Sequence, residues 1–468
     1  MSKISTIYLN SQDKLLLLCA KIQPTNAELA AINSLLLQLT DWNLFAQRIV
    51  EKGYAPLLYS KLPLLPNANK IPPIVIKKLK DAYYKTTTRS MLLQQAFADC
   101  AQIFKANNID VIALKGIYLS EYLYQNPALR LMSDIDLLVK VEDGPRAIAL
   151  LHEMGYEFPT WDMEENAISM HDMDLNSGPI HYRQLIKNNI SIEIHIKLLE
   201  TEKYILMSDY IWSNAKKVTI YNQNVYTLEI YDLFIYLCLH LKRHFLSMEH
   251  VQFSSFADIT NILGEIHESK VEGQKTKEKS KEINFRPQTL HNNESLMGLE
   301  DFEWDELERR AVEYKCTEIV YGFIALVNKY FDAPVPQDRI DNYRKFLNIY
   351  DEVLFIGYLQ NDTSNYLKNK SNIRIHLWNM LHLSNKSAVG YLVRTIFPSK
   401  EFMVEKYLAP QPPKGGVKSQ SQYEGERQRI ISSSHHHIIT LKYWWLWYPY
   451  RWAIGVKELV KLVIKKSK

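Results

Sequence analysis

Four cysteines are few for 468 residues, and Cys19, Cys100, Cys238 and Cys316 stand too far apart to make a C-x-x-C pair. That spacing excludes a disulfide framework and a paired-thiolate zinc site, and it fits a reducing compartment. The chain has no apolar run approaching the roughly 20 residues that a membrane-spanning helix needs. It does not open on a basic-then-apolar leader pattern, so a cytoplasmic protein is expected. Charge of one sign is also scarce, with a formal net charge of only +4. A dedicated nucleic-acid binder would show a dense basic face, and no strong signal of that kind is present. What is there, 47% apolar and 23% charged residues, is the composition of a globular chain long enough for about two or three domains.

The stretch from Asn108 to Lys140 carries the most chemistry. An apolar run, Val111 to Leu114, ends on Lys115-Gly116, and a short helical pattern follows from Tyr118 to Tyr124. Pro127 breaks that pattern, and a second apolar run holds Asp134 and Asp136 two residues apart. On a strand, residues i and i+2 share a face, so the two carboxylates stand side by side with Ile135 and Leu137 behind them. Two such charges repel unless a cation or a shared proton relieves them. A divalent metal is the simplest relief, because Mg²⁺ takes hard oxygen ligands. On this reading, removing the charge of Asp136 leaves the fold equally stable or more so. The bland alternative is a strand edge with two solvated carboxylates. Downstream, Ile190, Ile192, Ile194 and Ile196 alternate with Ser191, Glu193 and His195, a period-two signal for a half-buried strand. Glu193 and His195 share its polar face.

LKG, a helix, then R-x-x-x-D-I-D-L-L-V and an I-E-I-H strand together resemble the polymerase-β-type nucleotidyltransferase superfamily. More narrowly, they resemble its bacterial branch of uncharacterised nucleotidyltransferases. The resemblance begins near Leu15, is strongest from Leu114 to Lys197, and continues through His240-x-x-x-His244 and Asp258. One departure is Ile117 after Gly116, where the wider superfamily has Gly or Ser. The resemblance implies an α+β fold, a small polymerase-β-like sheet core embedded in a mainly helical protein. It implies transfer of a nucleoside monophosphate from an NTP to an unknown acceptor, with release of pyrophosphate. Asp134 and Asp136 would hold Mg²⁺, and Glu193 would complete the site as a ligand or as the base. Lys115, Gly116 and Arg130 would meet the phosphates. His240 and His244, with Lys242 and Arg243, would line the nucleotide or acceptor pocket, or else simply pack against the core. A catalytically silent regulator and a toxin-like transferase acting on tRNA or protein are the alternatives to a transferase of this kind.

The rest of the chain divides by composition. Residues 1–90 form an N-terminal helical region in which Asp41 caps the helix from Trp42 to Glu51. Residues 91–200 hold the nucleotidyltransferase core. Ahead of its first strand, helices fill Ile74 to Asn107 with Leu92, Phe97 and Ile103 on one face, and after Asp136 a helix from Gly144 ends at Gly155. His171, Asp172, Asp174 and His181 fall in a polar hairpin beside the site, with metal binding as the other reading. Residues 201–263 are helical. Residues 264–298, where Lys and Glu interleave with few apolar residues, read as a disordered insertion. Residues 299–410 are helical again, and 411–437 read as a flexible insertion containing His435 to His437. Residues 438–468 bring an aromatic cluster and an amphipathic helix. That helix docks by its aromatics or, on the alternative reading, touches a membrane surface.

Overall fold

The structure is a computed structural model, and it describes residues 9–159, 173–174, 178–179, 181–182, 184–198, 208–247, 253–275, 296, 298–299 and 301–360. The chain divides into two units, Met1–Ser364 and Asn365–Lys468, and every described residue lies in the first. The expected insertion at 411–437, the tail 438–468, and His171 and Asp172 lie outside the described residues. Among the described residues, no helix is long and apolar enough to cross a membrane.

Four short helices lead: α1 (Ser11–Cys19), α2 (Asn26–Leu37), α3 (Trp42–Glu51) and α4 (Ala55–Lys61). Their starts are written in the sequence. Asn10 with Asp13 and Thr25 with Glu28 form reciprocal capping boxes, and the Asp41 side chain accepts from the Leu44 N–H at 2.9 Å. The long helix α5 (Pro73–Ala106) then buries Leu93, Phe97, Ala101 and Phe104. Leu92 is 54% exposed, which corrects the expected face. Positions 93, 97, 101 and 104 keep the helical period, whereas 92 and 97 point well apart.

The sheet is mixed and six-stranded. In chain order its strands are β1 (Ile112–Ala113), β2 (Asp134–Leu138), β5 (Leu185–Lys187), β6 (Ile190–His195), β7 (Lys216–Ile220) and β8 (Gln223–Thr227). A separate antiparallel pair, β3 (Met173–Asp174) and β4 (Gly178–Pro179), lies between β2 and β5 in sequence. The strand order is β5-β6-β2-β1-β8-β7. β2 runs parallel to β6 and antiparallel to β1, and β1 runs parallel to β8. Ile135 and Leu137 of β2 and Ile192 and Ile194 of β6 are all fully buried, so the apolar side of the alternation is the core side. α5 and α7 (Gly144–Glu153) pack against these strands. α7 closes on Gly155 at φ +84°, a conformation that costs a residue without Cβ little.

Around the sheet stand α6 (Lys115–Leu119), α8 (Ser208–Asn214), α9 (Ile230–Ser247), α10 (Phe253–Lys275), α11 (Trp304–Glu313), α12 (Thr317–Phe331), α13 (Gln337–Tyr343) and α14 (Ile349–Gln360). The helical core is aromatic: Phe256 meets Phe245, Phe253, Phe331 and Phe355 at ring separations of 5.0–6.0 Å. α10 extends into the first part of the expected insertion at 264–298, of which residues 276–295 lie outside the described residues. Its helix runs on to Lys275, because Ile266 continues the buried stripe of Ile259, Ile262 and Leu263.

Candidate active site

The site grows from the turn between β1 and α6. The Leu114 N–H donates to the Asp136 carbonyl at 3.1 Å, holding the end of β1 against β2. Lys115 then takes φ +42°, the left-handed region that a residue with a side chain enters at a cost of about 1–3 kcal/mol. Gly116 follows because nothing larger fits: a Cβ there would lie 2.5 Å from Arg130 Nη1 and 3.2 Å from Met132 Sδ. α6 passes into a π-helical turn, Ser120–Tyr124, which ends at Gln125 with φ +51°. Such bulges collect at functional sites.

Arg130 serves first as the prop of this turn. Its Nε and Nη2 donate to Asp258 Oδ1 and Oδ2 at 3.0 and 2.7 Å, and Tyr124 OH donates to the same Oδ1 at 2.9 Å. Both partners of the ion pair are buried. The guanidinium expected at a phosphate is therefore bound bidentately to a helix 128 residues away, with Nη1 left against Gly116.

The carboxylates come together through strand register. β2 and β6 place Asp134 opposite Ser191, Asp136 opposite Glu193 and Leu138 opposite His195. Asp136 is buried, and its Oδ1 takes both Lys115 Nζ at 2.9 Å and His195 Nε2 at 3.0 Å. Glu193 Oε2 stands 3.8 Å from His195 Nε2. Asp136, Glu193 and His195 each present a ligand atom within 4.8 Å of the others. Asp134, two residues along the same face, stays outside that close group and accepts from Ser133 Oγ at 3.0 Å.

His195 was not expected as a ligand. The signal for it was the alternation that puts it beside Glu193 on the polar face. His181 also joins, its ring 4.9 Å from that of His195 and its backbone bridged to the same residue. His240 of α9 reaches the site through Lys115, with Nε2 3.0 Å from Nζ, so the imidazole accepts from the ammonium. His244 lies one turn on and packs edge to face on His240, with ring centres 4.5 Å apart.

The charges are unevenly matched. Burial opposes the Asp136 charge, but Lys115 and the His195 hydrogen bond outweigh it and hold this carboxyl well below the usual range. Burial and then Asp136 push Asp134 up. The same two causes lift Glu193 to about 7, against the pull of His181. Burial lowers His195 to about 4 despite its bond to Asp136, and burial with Lys115 drives His240 well below its ordinary value. Burial likewise works against the Lys115 ammonium, yet the surrounding carboxylates, Asp136 first, raise it. Three carboxylates thus share one close cation. The donor set of carboxylate oxygens and one imidazole can hold a divalent metal.

Fold and site together define an α+β protein with an acidic cluster that could hold a metal ion beside a glycine turn. Residues 38–292, more than half of the chain, match the family described as uncharacterised nucleotidyltransferase, and the chain belongs to that family. Membership makes nucleotidyl transfer its general class of chemistry and a nucleotide its substrate. Neither a curated protein nor a solved structure matches it.

Proposed function

We propose that the protein transfers a nucleoside monophosphate from an NTP to an acceptor hydroxyl and releases pyrophosphate. The observation that carries this reading is the parallel register that sets Asp136 beside Glu193, with Asp134 two residues along and the Lys115-Gly116 turn against them. Asp134 and Asp136 would hold Mg²⁺, which when bound neutralises phosphate oxygens during an in-line displacement. Glu193 takes the proton of the acceptor hydroxyl on a carboxylate oxygen. His195 Nε2 faces it at 3.8 Å, and a carboxyl lifted to about 7 is matched to that work. As the proton leaves, the acceptor oxygen bonds to the α-phosphorus and the bond from that phosphorus to the pyrophosphate oxygen breaks. Lys115 supplies an ammonium to the phosphates, and backbone near Gly116 approaches them closely. Arg130 keeps the turn in place, with Nη1 the part of its guanidinium nearest the glycine.

The test is incubation of the full chain with labelled NTPs, Mg²⁺ and panels of small-molecule, sugar, peptide and tRNA acceptors, read by mass spectrometry. A monophosphate adduct formed by wild type and absent with Asp136→Asn is the expected result. Tight NTP binding with no adduct on any acceptor would instead favour a silent, regulatory protein.

A further inference from the structure

Lys115 is more than a lysine near a phosphate site. Its ammonium is 2.9 Å from Asp136 Oδ1, 3.0 Å from His240 Nε2 and 5.9 Å from the centre of the Tyr236 ring. The side chain is only 13% exposed. Its charge is felt by Asp134 and Glu193 as well as by Asp136. The same Asp136 oxygen is also taken by His195, so both the oxygen and the space in front of it are engaged. The backbone at Lys115 is left-handed, which fixes the root of the side chain at the end of β1. A neutral His240 and an aromatic face complete a seat for a cation.

We propose that the Lys115 ammonium is the resident cation of the carboxylate pocket, and that a divalent ion enters only together with the nucleotide triphosphate, which takes the ammonium over. The proposal rests on the nucleotidyltransferase reading of the pocket. A divalent ion and an ammonium on one carboxylate repel each other strongly in a buried site. The triphosphate removes that conflict by offering the lysine an anion of its own. Metal and nucleotide then bind with positive coupling, and the coupling must be reciprocal. Without nucleotide the pocket keeps its lysine and takes divalent ions poorly.

The experiment measures equilibrium binding of Mn²⁺ to the full chain by electron paramagnetic resonance, with and without a non-hydrolysable α,β-methylene NTP analogue. Wild type should bind Mn²⁺ at least about tenfold more tightly with the analogue, within the usual span of coupling between sites. Lys115→Met should bind Mn²⁺ tightly without the analogue, and the coupling should fall below about twofold. Equal Mn²⁺ affinity of wild type and Lys115→Met in the absence of analogue overturns the proposal. If the variant does not fold, wild type alone decides: a coupling below about twofold, read from either ligand, overturns it. Failure of the underlying reading looks different, because Mn²⁺ would then bind neither protein under any condition, or would bind Asp136→Asn as well as wild type.

Discussion

Among the described residues, Arg310 and Lys115 each gather three carboxylates, and the two clusters are finished to different degrees. Around Arg310 of α11, Nε donates to Glu306 at 2.7 Å, and Nη1 donates to Glu229 at 2.7 Å and Asp232 at 3.0 Å. Tyr314 OH adds a bond to Asp232 at 2.8 Å, Arg309 grips Glu306 from outside, and the guanidinium lies 4.9 Å from the Tyr231 ring centre. Every carboxylate there has a direct donor, because a guanidinium is a rigid fork with five N–H groups. Around Lys115 only Asp136 is held that way. An ammonium is a point charge, and Asp134 and Glu193 are left with a serine hydroxyl and a histidine at 3.8 Å. The first cluster is a closed structural joint. The second is one cation short, which is what a site that receives a metal and a polyphosphate needs.

The sharpest way to break the contrast is Asp136→Asn. It should abolish metal-supported nucleotide binding, as followed by calorimetric titration with an NTP analogue and Mg²⁺. The structure also reverses the stability expected from the sequence. Asp136 is ion-paired, so its loss leaves Lys115 buried without its main partner and should lower the melting temperature of metal-free protein. Asp134→Asn, which removes the carboxylate lifted by burial and by Asp136, should leave the melting temperature unchanged or raise it. A higher melting temperature for Asp136→Asn would return Asp136 to the category of repelled charges.

Arg310→Met addresses the other side. Breaking a buried ion network by removing one partner costs about 3–5 kcal/mol. Urea denaturation should show a loss of that size, while Mn²⁺ binding by the folded fraction stays at the wild-type value. A change in metal affinity would mean that the two clusters are not independent.

Glu193→Gln should retain NTP binding and lose transfer by at least about a hundredfold, the low end of what removing a general base costs. It also has a signature without metal. The folded carboxyl titrates at about 7 and the unfolded one at 4.5. Between those values the unfolded chain has shed its proton and the folded chain still holds it. Stability contributed by this group is therefore complete below pH 4.5 and is lost as pH rises through 7. The glutamine variant loses no proton, so it should exceed wild type above pH 7 by on the order of 3 kcal/mol, with the gap nearly closed at pH 4.5. Denaturation in EDTA at pH 8 and pH 5 measures this, and a pH-independent gap would remove Glu193 from the unrelieved cluster.

The smallest effect belongs to a pair that resembles the others only in distance. Lys77 and Asp81 meet at 2.7 Å on α5, but both side chains are more than half exposed. Asp81→Asn should change unfolding free energy by less than about 0.5 kcal/mol. A larger shift would show that α5 leans on this pair.

The sequence made the carboxylate strands readable because their signal is local. Ile190 to Ile196 alternate with period two, and Asp134 and Asp136 lie inside one apolar run, so each strand and its polar face could be read without knowing any neighbour. The parallel register was not readable. It joins residues some 60 positions apart, and only that register shows His195 to be a partner of Asp136. The anion that Arg130 pairs with was hidden for the same reason, since Asp258 belongs to a helix far down the chain. Lys115-Gly116 stood out as a turn, but its contact with His240 spans 125 residues. Leu92 and the early end given to α10 are errors of another kind. An exposed Leu beside a buried one, and a helix carried on by Ile266 through charged neighbours, both defeat a reading based on apolar density.

The distance in sequence between Arg130 and Asp258 also sets an order of events while the chain is being made. β1, β2 and β6, with all three carboxylates, leave the ribosome before Asp258 is synthesised. Until α10 emerges, the guanidinium beneath Gly116 lacks its anion and the turn that carries Lys115 lacks its prop. A nascent chain stopped after β8 would hold every acidic residue of the site on strands that can already pair, but without the clamp that fixes them against the lysine. The propped turn is thus reserved for a chain translated well past the sheet, and a chain stopped between Thr227 and Asp258 has the three carboxylates without the Arg130–Asp258 ion pair.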